Sequence, residues 1–134
     1  IKLPNEKKSN KHLDGKREFS RFSSRLDNFM ILSNAVVVAP GGLGTLLELF
    51  YTWQLIQVKQ ICDIPIILLG DQWDELIDWI KKSPLKHGYM EKEDFRSIFI
   101  AKTNRQAIEI IKQAHKHFKE GGKNICLNIN KYKL

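Results

Sequence analysis

The residues whose types and spacing could do chemistry lie in one short segment, PGGLGTLLE, which runs from Pro40 to Glu48. A short apolar, β-branched run precedes this segment and a leucine-rich run follows it, which predicts a strand-to-helix turn. Glycines let the backbone come close to a ligand, and the unpaired N–H groups and positive dipole end of the following helix attract anions. We therefore predict a phosphate-binding loop at this turn, formed by Gly41, Gly42, Gly44 and Thr45.

The spacing of these glycines separates the segment from two better-known phosphate loops. The pattern G-x-G-x-x-G of dinucleotide-binding folds is absent, and no lysine followed by serine or threonine comes after the glycines. The segment is therefore neither an ordinary dinucleotide-binding turn nor an ATP-cradling loop of the Walker type.

Glu48 has two interpretations at this point. Thr45 and Glu48 have the spacing of a capping box, in which the glutamate closes the helix N-terminus. Alternatively, a carboxylate about one helical turn from a bound phosphate could orient a sugar hydroxyl, activate water or stabilise an oxocarbenium-like centre. The spacing alone leaves both interpretations open.

Arg25, in the helical pattern before the strand, also has two interpretations. A guanidinium near a phosphate or a ribose would be a bidentate anchor. An arginine on a solvated helix face would have no such function, and exposed arginines are common. Taken alone, the pattern favours the solvated side chain.

Alternating helical and strand patterns surround these residues and predict an α/β fold, a three-layer Rossmann-like parallel sheet flanked by helices. The first strand should be buried on both faces, because it is continuous and apolar. The predicted strands cover residues 35–39, 64–69 and 99–101, and the predicted helices cover residues 17–33, 46–59, 73–80, 91–98 and 104–118.

Other side chains are expected to be structural. Asp71 and Asp74 follow the second strand, and one of them is expected to cap the next helix. Cys62 and Cys126 match no metal-ligand spacing and are expected to be reduced thiols. The sequence therefore predicts no metal site.

The composition is that of a single domain, with 134 residues, 43% of them hydrophobic and 28% charged. We expect this domain to span residues 1–134, with a loop-like segment at 1–16 and a tail at 120–134. No apolar run approaches the ~20 residues that cross a bilayer and no leader pattern is present, so we expect a cytoplasmic protein without membrane contact. The net charge of +7 favours anionic ligands, but no arginine-rich stripe supports specific nucleic-acid binding.

Arg25, fourteen further residues and then Pro-Gly-Gly-x-Gly-Thr-x-x-Glu from Pro40 to Glu48 together resemble the LONELY GUY (LOG) family. Its characterised members are cytokinin-activating phosphoribohydrolases, and related bacterial members are nucleoside 5'-monophosphate nucleosidases. The family was long labelled "possible lysine decarboxylase". The resemblance covers roughly residues 3 to 118 of the chain.

This resemblance implies a hydrolase that cleaves the N-glycosidic bond of a nucleoside 5'-monophosphate to free base and ribose 5-phosphate. In the family, the arginine and the glutamate are the catalytic pair, here Arg25 and Glu48. The Gly-Gly-x-Gly-Thr loop holds the 5'-phosphate, here with Gly41, Gly42, Gly44 and Thr45.

The resemblance also implies that the enzyme needs no metal or organic cofactor. It implies a homodimer with the active site near the subunit contact, and a chain that holds the C-terminal portion of the family's domain. One departure from the family pattern is Leu26, where many members have lysine directly after the arginine.

Two other functions remain open. The same scaffold could be a non-catalytic carrier of a nucleotide or of molybdenum cofactor, since carriers of that kind resemble the same fold family. It could also serve only as a dimerisation unit. A pyridoxal-phosphate lysine decarboxylase finds no support, because the loop offers neither a Schiff-base lysine nor a partner for the pyridine nitrogen.

Overall fold

A computed structural model describes residue 12 and residues 18–121 of the chain. The predicted segment at 1–16 and the predicted tail at 120–134 lie almost wholly outside these residues. In chain order the elements are α1 (Phe22–Leu32), β1 (Val36–Val38), α2 (Leu43–Gln57), β2 (Ile66–Leu69), α3 (Gln72–Ile80), a π-helical segment (Lys81–Leu85), a 3-10 turn (Lys92–Phe95), β3 (Ile98–Ala101) and α4 (Asn104–Lys119).

The three strands form one parallel sheet in the order β1-β2-β3. Val36 is paired with Ile66, and Ile66 with Ile98, so the strands start at one common level. β2 lies in the centre, and its first three side chains have no exposed surface. A parallel sheet flanked by helices confirms the predicted α/β fold.

Two apolar clusters lie on opposite faces of the sheet, because successive side chains of a strand point to opposite sides. Ile66 and Leu68 belong to the larger cluster, which also holds buried side chains of β1, α2 and α3. Ile67 belongs to the smaller cluster, together with Ala101 of β3 and Ala107 of α4. Helices therefore cover both faces of the sheet and give the three-layer arrangement.

β1 is less covered than its sequence predicts. Val36 and Val38 are buried, whereas Val37 is 44% exposed. In the part of the chain that the structure describes, β1 pairs with β2 alone, and the smaller cluster packs under β2 and β3. The prediction that this strand is buried on both faces is therefore wrong.

The expectation of reduced thiols is also wrong for Cys62, which is disulfide-bonded. That expectation rested on the usual redox compartment of such chains and used no geometry. Cys126, the other cysteine of the sequence, lies outside the described residues.

Two features that would bear on function are absent from the described residues. No described helix is both long enough and apolar enough to cross a membrane. No group of three or more histidine, cysteine, aspartate or glutamate side chains in residue 12 and residues 18–121 is arranged to hold a metal ion.

Candidate functional site

The glycine-rich turn leads directly from β1 into α2, and the helix begins inside the turn. Leu43 is its first residue, Gly42 is its N-cap, and no acidic side chain lies in its first turn. The N–H groups of Gly42, Leu43, Gly44 and Thr45 have no acceptor among the described residues. Unpaired N–H groups at the positive end of a helix form a favourable position for an anion.

This helix start decides between the two interpretations of Glu48. In a capping box Thr45 would be the N-cap and Glu48 would lie three residues into the helix. Instead α2 begins at Leu43, three residues earlier than the sequence pattern indicated, so Thr45 lies in the first turn and Glu48 in the second. The capping-box interpretation is wrong because the glycines before Thr45 already belong to the helix start.

Three glycines of the loop differ in what surrounds them. A Cβ atom added to Gly41 would lie 2.1 Å from Oγ1 of Thr45, which no real contact allows. A Cβ atom added to Gly42 or Gly44 would meet nothing within 4 Å. Gly41 is therefore needed for the close contact with Thr45, whereas Gly42 and Gly44 border open space at the helix N-terminus.

Arg25 and Glu48, the two candidate catalytic residues, are in direct contact. Nη2 of Arg25 on α1 lies 3.2 Å from Oε1 of Glu48 on α2. Both side chains keep contact with solvent, with 46% and 33% of their surface exposed. An ion pair this exposed contributes at most about 1 kcal/mol to folding. The Arg25–Glu48 pair therefore adds little to the stability of the fold.

Thr52 ties the turn that carries Glu48 to helix α1. It is fully buried, as Met30 of α1 nearly is. Its hydroxyl lies 2.7 Å from the carbonyl oxygen of Glu48 and 2.7 Å from the sulfur of Met30. The position of Glu48 relative to α1, and hence to Arg25, is therefore set by a packed contact and not by the ion pair alone.

Tyr51 and Asp27 make a second polar contact between the same two helices, which the sequence did not predict. The hydroxyl of Tyr51 donates a hydrogen bond to Oδ1 of Asp27. This hydrogen bond, followed by desolvation and by the negative charge of Asp27, raises the pKa of Tyr51 above its ordinary value of 10.0. The phenol of Tyr51, three residues after Glu48 on α2, therefore stays protonated to a higher pH than an ordinary tyrosine.

Gln72 is a further residue at this edge of the sheet that sequence reasoning missed. Its side-chain amide pairs with the peptide groups of Gly41 on both sides: the N–H of Gly41 donates to Oε1 at 2.9 Å, and Nε2 donates to the carbonyl oxygen of Gly41 at 2.6 Å. The N–H of Gly41 is thereby occupied. The sequence could have indicated Gln72 as a site residue, because it follows β2 and the carboxyl ends of parallel strands share one edge of the sheet.

Asp71 occupies the N-cap position of helix α3, so the prediction that Asp71 or Asp74 caps this helix is correct in position. The side chain of Asp71 makes no capping hydrogen bond, however. Both carboxylates bind Nζ of Lys102, which follows β3, with Asp71 at 3.0 Å. The hydrogen bonds that Lys102 donates to Asp74 and then to Asp71 raise the pKa of Lys102, because an ammonium group between two carboxylates is favoured over the neutral amine.

Together these contacts define a class of protein: an α/β domain with a glycine-rich turn at the carboxyl edge of its sheet, next to an arginine–glutamate pair. The chain belongs to the family described as "possible lysine decarboxylase", whose model matches residues 1–111. That family contains the LOG proteins, which confirms the resemblance seen in the motif. A comparison with curated proteins gave no match.

Proposed function

We propose that this protein hydrolyses the N-glycosidic bond of nucleoside 5'-monophosphates, giving free base and ribose 5-phosphate. The observation that carries the proposal is the contact between Arg25 and Glu48 at 3.2 Å. Glu48 lies on α2, which begins in the glycine-rich turn at Leu43. Membership of the family that contains the LOG proteins is consistent with this activity.

In this proposal the 5'-phosphate binds at the start of α2. The N–H groups of Gly42, Leu43, Gly44 and Thr45 have no acceptor among the described residues, and the helix dipole favours negative charge there. Gly42 and Gly44 border open space, so phosphate oxygens can reach the peptide groups without meeting a side chain.

Glu48 and Arg25 would then act on the sugar. Glu48 follows Thr45 by three residues, which is about one helical turn, so the ribose of a nucleotide bound by its phosphate at the helix start would extend towards this carboxylate. As the glycosidic bond breaks, positive charge develops on the anomeric carbon and its ring oxygen. The carboxylate stabilises that charge or positions the attacking water, while Arg25 holds and polarises the substrate. The reaction consumes only water.

The description "possible lysine decarboxylase" names a different chemistry, which the residues at this edge do not favour. A Schiff-base lysine must react as the neutral amine. Lys102, the lysine that follows β3, is bound to Asp71 and Asp74 and has its pKa raised, which keeps it protonated. The proposed hydrolase needs no such lysine.

A panel of nucleotides tests the proposal directly. Purine and pyrimidine nucleoside 5'-monophosphates, with and without cytokinin-type side chains, would be incubated with the full chain and assayed for base and ribose 5-phosphate. The matching nucleosides, which lack the phosphate, are the control. We expect release from at least one 5'-monophosphate and much slower release from its nucleoside. A folded protein that binds nucleotides and releases no base would instead favour a carrier of a nucleotide or of molybdenum cofactor.

A further inference from the structure

Gln72 makes the most specific contact at this edge that the proposed chemistry does not use. Its amide forms two hydrogen bonds to a single residue of the loop, one to the N–H and one to the carbonyl oxygen of Gly41. Among side chains, a primary amide carries an acceptor and a donor side by side. It can therefore pair with a peptide group much as a neighbouring strand would.

The loop around Gly41 leaves little room for other conformations. Thr45 lies so close that Gly41 accepts no Cβ atom. On the other side, Pro40 approaches the turn after β2, where a Cβ atom on Gly70 would come within 3.2 Å of the proline ring. Gly70 also has a φ of 100°, which favours glycine. The loops after β1 and β2 are thus fitted to each other at the position where Gln72 bonds.

Occupation of the Gly41 N–H divides the loop into two functional parts. Gly41 is held by Gln72, whereas the next four N–H groups have no acceptor among the residues described. Glycine-rich backbone loses much conformational freedom when it is ordered. A contact that orders Gly41 in advance lowers the entropy cost of binding an anion to the peptide groups that follow it.

We propose that Gln72 is a positioning residue for anion binding: it holds the Gly41 peptide groups so that the N–H groups of Gly42 to Thr45 point at a phosphate group. The choice of phosphate as ligand rests on the proposed function, but the positioning role concerns binding and not bond cleavage. Gly41 itself then contributes shape to the loop and no hydrogen bond to the ligand.

The test compares Gln72→Ala with Gln106→Ala in the full chain. Gln106 is a matched control, because its side chain also makes two hydrogen bonds to the backbone, at the start of another helix on the same edge. Its Oε1 accepts from the N–H groups of Lys102 and Thr103. Inorganic phosphate is the probe, and its Kd is measured from the amide signals in nuclear magnetic resonance spectra. We expect phosphate to shift the signals of Gly42 to Thr45, and Gln72→Ala to weaken binding about tenfold through the loss of two hydrogen bonds.

Hydrogen exchange supplies a second readout that does not depend on binding. The Gly41 amide should exchange faster in Gln72→Ala than in the wild type or in Gln106→Ala, because its acceptor is gone. Gln72→Glu keeps the acceptor but turns a carboxylate towards the Gly41 carbonyl, so it should restore slow exchange only in part.

Three results would overturn the positioning role. They are an unchanged phosphate Kd in Gln72→Ala, an equal loss of binding in Gln106→Ala, and a wild type whose Gly42–Thr45 amides do not respond to phosphate. Failure of the proposed hydrolase looks different: the wild type binds phosphate in a Gln72-dependent way but releases no base from any nucleotide. That outcome would support the positioning role and contradict only the hydrolysis.

Discussion

Gly41 and Gly44 lie three residues apart in one loop, yet a methyl group would affect them in opposite ways. At Gly41 it would collide with Oγ1 and Cβ of Thr45, at 2.1 and 2.8 Å, whereas at Gly44 it would meet nothing within 4 Å. The sequence motif treats both positions simply as glycine. Only the folded loop separates the glycine required for packing from the glycine that leaves space for a ligand.

We therefore expect Gly41→Ala to lower the free energy of unfolding by about 1–3 kcal/mol, as overpacking does. Gly44→Ala should raise it by about 0.5–1 kcal/mol, because alanine in a helix loses less backbone entropy than glycine. Urea unfolding of both variants measures the difference. Equal stability of the two would contradict the close contact between Gly41 and Thr45.

Single residues also show what the sequence could and could not predict about the site. The resemblance to the LOG family implied that Arg25 and Glu48 form a pair, and the structure brings them into contact. Gln72 was missed because it lies 31 residues from Gly41 in sequence and belongs to no motif. The same limit applies to Lys102, whose partners Asp71 and Asp74 lie about 30 residues earlier, at the start of α3. Such contacts depend on which loops share an edge of the sheet.

Helices α1 and α2 carry the two candidate catalytic residues, so the contact between the helices sets the geometry of the site. Besides the Arg25–Glu48 pair, the contact includes the buried Met30 and Thr52 and the hydrogen bond from Tyr51 to Asp27. The raised pKa of Tyr51 makes this contact dependent on pH. Its folded pKa lies above the unfolded value of 10.0, so the contact stabilises the fold below about pH 10 and is lost as the pH rises through the folded pKa.

Asp27→Asn should bring the pKa of Tyr51 back towards 10.0, because the variant removes the negative charge and weakens the hydrogen bond. The measurement is the ultraviolet absorbance of tyrosinate as a function of pH, with Tyr51→Phe identifying the Tyr51 contribution. Asp63→Asn is the control, since Asp63 pairs with Arg96 elsewhere. A Tyr51 pKa that does not change in Asp27→Asn would contradict the assigned cause.

Three strands and four helices were predicted correctly in type, but the helix predicted at 91–98 is only a 3-10 turn at Lys92–Phe95. Apolar periodicity was enough to indicate the strands and helices of the α/β fold. The start of α2 was predicted three residues too late, because the Thr45–Glu48 spacing imitates a capping box. In the structure Gly42 is the N-cap and Gly44 lies in the first turn of the helix. The exposure of Val37 was missed because burial of a strand face depends on its neighbours, which the strand's own residues do not specify.

At the scale of the whole domain, helix α1 leaves apolar side chains exposed among the described residues. Phe29 and Leu32 lie three residues apart, so they are neighbours on the helix surface, and they are 47% and 42% exposed. Adjoining exposed apolar side chains are typical of association sites. We propose that the protein is a homodimer that buries this surface, which would bring the subunit contact close to Arg25 on the same helix.

Leu32→Lys should then convert the dimer to a monomer, because an ammonium group would be buried without a partner. Ile108→Lys is the control, since Ile108 is 51% exposed on a different helix, α4. Light scattering coupled to size-exclusion chromatography gives the mass of each variant. A wild type that is monomeric, or a Leu32→Lys variant that stays dimeric, would contradict the proposed contact.

The central claim, that Glu48 takes part in cleaving a glycosidic bond, is tested most directly by comparing base release in Glu48→Gln and Glu109→Gln. Glu109 forms an ion pair with Arg105 at 3.2 Å on α4, so both variants remove one glutamate charge from an arginine pair of equal length. We predict that Glu48→Gln lowers kcat on a cleaved nucleoside 5'-monophosphate by about a hundredfold or more, while Glu109→Gln keeps wild-type turnover. Undiminished release in Glu48→Gln would contradict the account.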